Sequence, residues 1–403
     1  MILKPTPQER AMKMQQVLVR ALSGEITWIA AADLMGVSAR TMRRWRLRLE
    51  QFGVDGLVDR RCRPSPRRVP GRIVGWLVRQ YKGRYRGFNV RHFHAVLVRE
   101  YAFEYSYSFV RQALQYAGLV KVKRPRGRHR IRREPRAMFG EMLHIDGSRH
   151  RWLARCPEEW ASLISVVDDA TKQLLYARLV DAESTEAVLE ALRAVLGRWG
   201  LPQALYTDRA SWAVHTPAKD EPPDTRRLTQ VARALRRLGI EHILAYSPQA
   251  RGRSERVNRT LQDRLVNEMR VAGIRSLEAA NRYLTERFLP AYNLEFGRAP
   301  AEPASAFIAA AGFDLDQILC LEEERVVQRD NSVGCEGLHL QIPKQRGRTT
   351  CAGLHLTVRR HLDQTYSVWR ANHCLATYDS RGRLAAPATA APPTPTSGTG
   401  AAA

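Results

Sequence analysis

Between residues 141 and 272 the hydrophobic period switches repeatedly between two and 3.6, and that succession restricts the chain to few folds. EMLHIDGSRHRWL alternates as a strand. SLISVVDDATKQLLYARLV reads as two strands joined by a hairpin turn at Asp168-Asp169-Ala170-Thr171. Ser184 to Trp199 is an amphipathic helix, capped by Ser184 or Thr185. Leu201-Pro202 leads into the short strand ALYTD, and a Pro- and Asp-rich loop (213–225) precedes a helix from Arg226 to Leu238. A strand over Ile240–Ala245 and a long helix from about Arg251 to Ala272 close the series. The order β-β-β-α-β-α-β-α predicts a mixed α/β domain with helices packed on a sheet.

The segments on either side differ in texture. Of the 403 residues, 65 are Lys or Arg and 40 Asp or Glu, a net +25. Residues 1–137 hold 31 of these cations and 9 of the anions, so +22 of the excess lies in the first third. Such a block attracts polyanions, nucleic acid first among them; a solvated basic face is the plainer alternative. Within it, Thr27–Met35 reads as a short helix, Gly36-Val37-Ser38 as a tight turn with Gly36 free to take φ > 0 and Ser38 as N-cap, and the next helix carries a run of arginines. This is the helix-turn-helix pattern, whose second helix enters the major groove. Arg43, Arg44, Trp45 and Arg46 are the candidate DNA contacts there. A basic, proline-broken linker (60–70) follows, then a second helical unit in which a helix starting at Ser106 carries Arg111, a further candidate contact. KVKRPRGRHRIRR (121–133) is expected to track phosphates as an arm. His92 and His94 have no cysteine partners nearby and are read as ordinary side chains.

Beyond a helical stretch at 276–311, residues 324–380 alternate with several turn signals, which predicts a small β-barrel, and the Pro-, Ala- and Thr-rich tail reads as disordered. The expected organisation is therefore multidomain. It comprises a helix-turn-helix domain (1–60), a second helical, winged-helix-like unit with its basic arm (61–137), an α/β core (138–275), a helical extension (276–323), a small β-barrel (324–382) and a tail (383–403). The six cysteines form no C-x-x-C pair, which argues against a zinc ribbon and fits a reducing interior. No apolar run reaches the roughly 18 residues a membrane helix needs, so the expectation is a soluble, cytoplasmic, nucleoid-associated protein with no membrane partner.

Three carboxylates carry the candidate chemistry. Asp146 follows an apolar strand and shares a face with His144, opposite Leu143 and Ile145; Asp208 comes directly after the strand Ala204–Thr207; Glu255 opens the long helix among Arg251, Arg253, Arg256 and Arg259. Each acid alone reads equally as a turn, cap or salt-bridge residue. Brought together they would repel, and a divalent cation with hard oxygen ligands removes that conflict. Mg²⁺ or Mn²⁺, as two ions about 4 Å apart, would polarise a phosphodiester and activate a water or 3′-hydroxyl. The surrounding Arg251, Arg253 and Arg259, with Asn258 on the face of Glu255, would then hold DNA.

Four segments, LHIDGS with Asp146, ALYTDRAS with Asp208, AYSPQARGRSERVNRTLQDRL with Glu255, and YNLEFGRAPAEPASAF at 292–307, resemble the DDE superfamily of transposases and retroviral-type integrases. With the basic head and β-rich tail, the chain resembles an insertion-sequence transposase of the ISNCY type over roughly residues 10–380. The resemblance implies an RNase H-like core in which Asp146, Asp208 and Glu255 are catalytic and bind metal. It also implies binding of the element's terminal inverted repeats and of target DNA, strand cleavage and strand transfer, and self-association into a multimer. There are departures. Forty-six residues separate Asp208 from Glu255, more than in retroviral integrases, with the excess around Trp212–Arg227; and the zinc module of those integrases is absent. Two other readings stay open: a helix-turn-helix DNA-binding protein or regulator without catalysis, and a nuclease of the same fold that does not join strands.

Overall fold

The structure, a computed structural model, describes residues 7–58, 69–121, 134–154, 156, 158–215, 227–245 and 254–385. The chain divides into two compact units, Met1–Leu77 and Val78–Ala403.

The first unit is helical. α1 (Pro7–Leu22), α2 (Trp28–Met35) and α3 (Ala39–Phe52) enclose a small core of Ala11, Leu18, Ala31, Ala32, Met42 and Leu57. The turn between α2 and α3 follows from local chemistry. Gly36 takes the left-handed conformation (φ 64°), which a side chain would resist, and its N–H closes α2 onto Ala32 and Asp33. Thr27 and Ser38 cap the two helices through hydroxyls that accept from Ala30 N (3.2 Å) and Thr41 N (3.3 Å). Ser38→Ala is expected to destabilise this unit by about 1 kcal/mol, read as a lowered urea midpoint of the isolated helix signal; an unshifted midpoint would assign the turn to Gly36 alone.

α4 (Gly71–Lys82), α5 (Val90–Tyr101) and α6 (Tyr107–Tyr116) follow. Asn89 and Ser106 supply the N-caps of α5 and α6. Edge-to-face rings join Tyr81 to Phe93 (5.1 Å) and Tyr85 to Phe88 (5.3 Å), and the Tyr81 hydroxyl donates to Phe88 O at 2.7 Å.

Next come β1 (Met138–Phe139), β2 (Met142–His150), β3 (Ala161–Asp168), β4 (Leu174–Val180), α7 (Thr185–Trp199), β5 (Ala204–Thr207), α8 (Gln230–Arg237), β6 (Glu241–Leu244) and α9 (Ser254–Ala272). The sheet order is β4-β3-β2-β5-β6; β3 runs antiparallel to β2 and β4, while β5 and β6 run parallel to β2. This mixed sheet fits an RNase H-like core. Alternation sorts its faces. Leu143, Ile145, Ile164 and Val166 join a core with α7 and α8, whereas Leu163, Val167, Leu174 and Leu179 join a second core with Leu261, Leu265 and Met269 of α9. His144, Asp146 and Ser148 therefore lie on the α9 side.

α10 (Leu277–Tyr283) and α11 (Leu289–Phe296) are joined by a π-helical turn, Leu284–Phe288, next to Pro290, which has no N–H to give the helix ladder. These helices also close the sheet's open edge. Asn281 bonds both N and O of Leu179 (2.7 and 2.8 Å), and Asn293 both N and O of Leu174 (2.7 and 3.0 Å), so two amides satisfy β4 where another strand would otherwise pair.

β7 (Glu302–Ser305) pairs with β1, and α12 (Leu315–Ile318) leads to β8 (Leu321–Val326), β9 (Ser332–Cys335), β10 (Leu338–Gln341), β11 (His355–Arg360), β12 (Tyr366–Arg370) and β13 (His373–Tyr378). The small barrel expected at 324–382 does not form. The strands make an open antiparallel sheet, β13-β12-β11-β8, and a separate hairpin, β9–β10. The hairpin contributes Val333, Cys335 and Leu340 to the same core as Leu356, Val358 and Val368, so it packs as a second layer rather than bonding to the sheet edges as closure requires. Alternation in sequence is the same for a layered pair and a barrel.

Candidate functional site

Two contacts anchor α9 across β2, and they follow from the two periods. Asn258 Nδ2 donates to Asp146 Oδ2 at 2.8 Å, and Gln262 Nε2 donates to Ser148 Oγ at 2.9 Å. Positions 258 and 262 share a helix face, as 146 and 148 share a strand face. Glu255, one turn before Asn258, thereby reaches the end of β5. Asp146, Asp208 and Glu255 line one cleft of about 160 Å³ together with Ile145, Gly147, Tyr206 and Thr207. Asp208 begins a tight turn, its Oδ1 accepting Ala210 N at 3.0 Å. Glu255 is exposed in the first turn of α9, where a carboxylate is also favoured by the helix dipole, worth about 0.3–1 kcal/mol. That local effect does not require two aspartates beside it.

The three acids supply only oxygen donors, the chemistry that suits Mg²⁺ or Mn²⁺. Among the described residues, no group of three or more His, Cys, Asp or Glu side chains is gathered closely enough to hold a metal ion. The cleft brings the acids together as neighbours, not as a closed coordination shell.

A larger cavity, about 370 Å³, is also lined by Asp146. Its walls include His144, Asp169, Lys172, Arg256, Tyr292 and Arg298. The hairpin acids behind it have structural tasks. Asp168 Oδ2 accepts Thr171 N and Oγ1, both at 2.7 Å, and burial raises its pKa against those bonds. Asp169, fully buried, accepts His144 Nε2 at 2.8 Å and Arg136 N at 2.8 Å. Of this arrangement, the shared face of His144 and Asp146 and the hairpin turn at Asp168–Thr171 were readable in the residue pattern; the bond from His144 to Asp169 was not.

The remaining sequence candidates fall into three groups. Arg43, Arg44 and Arg46 of α3, Arg111 of α6 and Arg259 of α9 are exposed. Arg46 pairs with Glu50 at 2.6 Å, and Trp45 packs against the core of the first unit. Asn258, expected at DNA, is half-buried and spends its amide on Asp146. Arg251, Arg253 and the arm 122–133 lie outside the described residues. His92 and His94 bond Glu268 (2.8 Å) and Tyr105 O (2.9 Å), as ordinary side chains do.

The helix-turn-helix domain family model matches residues 15–67, which include α2 and α3, and makes the first unit a DNA-binding module. The putative transposase y4bF of Sinorhizobium fredii is 31% identical over 370 residues, 91% of this chain and 80% of that protein. The transposase for insertion sequence IS1202 of Streptococcus pneumoniae is 26% identical over 370 residues, 82% of this chain and 78% of that protein. Among solved structures, the HTLV-2 integrase catalytic core domain in complex with magnesium (dimeric form) aligns at 14% identity over 40% of this chain and 89% of that chain, with a TM-score of 0.28, too distant to carry weight. No helix among the described residues is long and apolar enough to cross a membrane. From the identity and extent of the first match, the chain belongs to the transposase family.

Proposed function

We propose that this transposase binds the terminal inverted repeats of its element through the basic N-terminal region and cuts and joins DNA at Asp146, Asp208 and Glu255. The observation that supports this reading is the single cleft lined by three acids from β2, the end of β5 and α9, with α9 docked onto Asp146 through Asn258. A regulator without catalysis has no need of that convergence.

Asp146, Asp208 and Glu255 would hold one or two Mg²⁺ or Mn²⁺ ions. Bound there, such ions supply Lewis-acid polarisation of the scissile phosphate and a more acidic water or 3′-hydroxyl. The chain's own residues do the rest. Asn258 fixes the orientation of Asp146, and the Asp208 turn presents its carboxylate at the strand end. Arg256 and Arg259, early on α9, would hold DNA phosphates. A freed 3′-hydroxyl then attacks target DNA. One phosphodiester is exchanged for another, so no ATP and no covalent enzyme intermediate are required. Two element ends imply a multimer, with target duplex as the second DNA partner.

The deciding experiment is cleavage and joining of oligonucleotides carrying the element's own ends, with Mg²⁺ and with chelator. Metal-dependent joined products are expected. Cleavage without joining would favour a nuclease, and repeat binding without either would favour a regulator. On the binding side, Arg43→Ala with Arg44→Ala is expected to reduce the slope of log affinity against log salt by about 2, one phosphate contact per arginine. A slope equal to wild type in a filter-binding titration would remove α3 from the DNA contact.

A further inference from the structure

We propose that Glu183 is a positioning residue that sets the spacing of Asp146 and Asp208, seating its carboxylate against Gly147 and accepting the indole N–H of Trp212. The proposal rests on the catalytic reading above and adds to it a residue outside the acidic trio.

Gly147 directly follows Asp146. Its backbone does not need glycine, because it is absent from the residues with positive φ. The requirement is space. A Cβ placed on Gly147 would meet the Oε2, Cδ and Oε1 atoms of Glu183, all within 2.7 Å. Glu183 therefore lies directly on the backbone beside Asp146. It comes from the link between β4 and α7, whose N-cap is Ser184, so its backbone is tied to a helix start. Its Oε1 accepts Trp212 Nε1 at 2.5 Å.

Trp212 in turn belongs to the turn that Asp208 opens. Asp208 Oδ1 holds Ala210 N, and Ala210 O accepts from both Ala213 N (2.9 Å) and Val214 N (3.1 Å). The Trp212 ring is 5% exposed and packed in the core shared with α7 and α8. A rigid buried ring thus ends in one N–H, and that N–H meets the one carboxylate that rests on Gly147. The chain of contacts runs Asp146–Gly147, Glu183, Trp212, Asp208. Strand pairing registers β2 against β5 at Met142–Ala204, Leu143–Leu205 and His144–Tyr206 and ends there. Beyond those pairs, Glu183 ties the Asp208 turn to the Asp146 strand through Trp212 and Gly147.

Residues that orient metal-binding side chains without touching the ion typically change metal affinity 10–100-fold when altered. The test therefore reads metal binding directly. Mn²⁺ binding to the full-length chain is followed by electron paramagnetic resonance, beside cleavage of element ends over a Mg²⁺ titration. Glu183→Ala, Gly147→Ala and Trp212→Phe are each expected to raise the half-saturating Mn²⁺ and Mg²⁺ concentrations at least about tenfold, with inverted-repeat affinity unchanged. Glu183→Gln keeps an oxygen for Trp212 and is expected to stay close to wild type. Glu183 is exposed, so its two variants leave the hydrophobic core intact whatever Trp212→Phe does to folding. Wild-type metal binding in Glu183→Ala overturns the proposal. Equal losses in Glu183→Gln and Glu183→Ala overturn it too, since they would mark the charge rather than the hydrogen bond. Asp146→Asn runs alongside: if it binds metal and cuts as wild type does, the catalytic reading falls. If it loses both while Glu183→Ala does not, only the role of Glu183 falls.

Discussion

Asp146→Asn is expected to abolish strand cleavage, by roughly 10³-fold or more, while leaving inverted-repeat binding intact. The size follows from the several kcal/mol of charge stabilisation a metal site supplies, at about 1.4 kcal/mol per tenfold in rate. The separation of effects follows from structure. Asp146 sits midway along β2 on the α9 side of the sheet, whereas the helix-turn-helix match covers residues 15–67. Asparagine keeps the size and one carbonyl oxygen, so Asn258 can still donate to position 146 and the helix stays docked. What is lost is the charge. Gel-shift and cleavage assays on the same labelled end measure both quantities in one preparation. Cleavage at the wild-type rate would remove the acidic cleft from the mechanism, and a parallel loss of binding would show that the substitution disturbs more than chemistry.

The second large effect concerns stability. Glu268→Ala is expected to destabilise the larger unit by about 1–3 kcal/mol for each buried donor it leaves without an acceptor. Glu268 is 8% exposed on α9 and accepts from His92 Nε2 (2.8 Å), from the Tyr283 hydroxyl (2.8 Å) and, at 3.5 Å, from Arg99. Burial pushes the Glu268 carboxyl up, but these donors together hold it below the usual carboxylate range. His92 is 1% exposed, and burial lowers its imidazole despite the pull of Glu268. The pair is thus a neutral imidazole donating to a carboxylate. A lowered histidine makes the unfolded chain the better proton acceptor, so stability is lost as pH falls through the unfolded value of about 6.5. Glu268 adds a loss in the same direction at lower pH, as its depressed carboxylate is protonated. Urea midpoints between pH 7.5 and 5 should therefore decline, and His92→Gln should flatten the decline. A pH-independent midpoint in wild type would rule out the neutral buried imidazole.

This contact also bears on the site. Asn267 and Arg270 of α9 donate to backbone carbonyls of Gly87, Arg84 and Arg86, and His92 reaches Glu268, so the helix that carries Glu255 in its first turn is held at its far end by the segment before α5 and by α5 itself.

Much of the architecture was legible along the chain. The alternating and helical periods between residues 141 and 272 specify the strand and helix order that the sheet displays, and Asp146 was placed on the face of His144 by alternation alone. Gly36 and Ser38 announced the turn between α2 and α3, because caps act within one turn of their own residue, whereas Thr27, read as the first helical residue, caps α2 instead. Local periodicity was silent where the same pattern serves two folds, and 324–382 is the example: alternation fits a barrel and two packed layers equally, and only the packing of the β9–β10 hairpin chooses the layers. It was silent again where partners are remote. Asn258 reads as a DNA contact on an arginine-rich helix until Asp146, 112 positions away, is found at its amide. Glu183 carried no signal in the residue pattern, and Gly147 and Trp212 close around it only in the fold; His92 reads as an ordinary histidine until Glu268, 176 positions on, occupies its ring nitrogen. Residue order determined the elements, the basic head and the identities of the acids, since those depend on neighbours a few positions apart. The cleft, the docking of α9 and the buried histidine–carboxylate pair were decided by tertiary structure, since each depends on a distance between side chains that chain-local forces do not control.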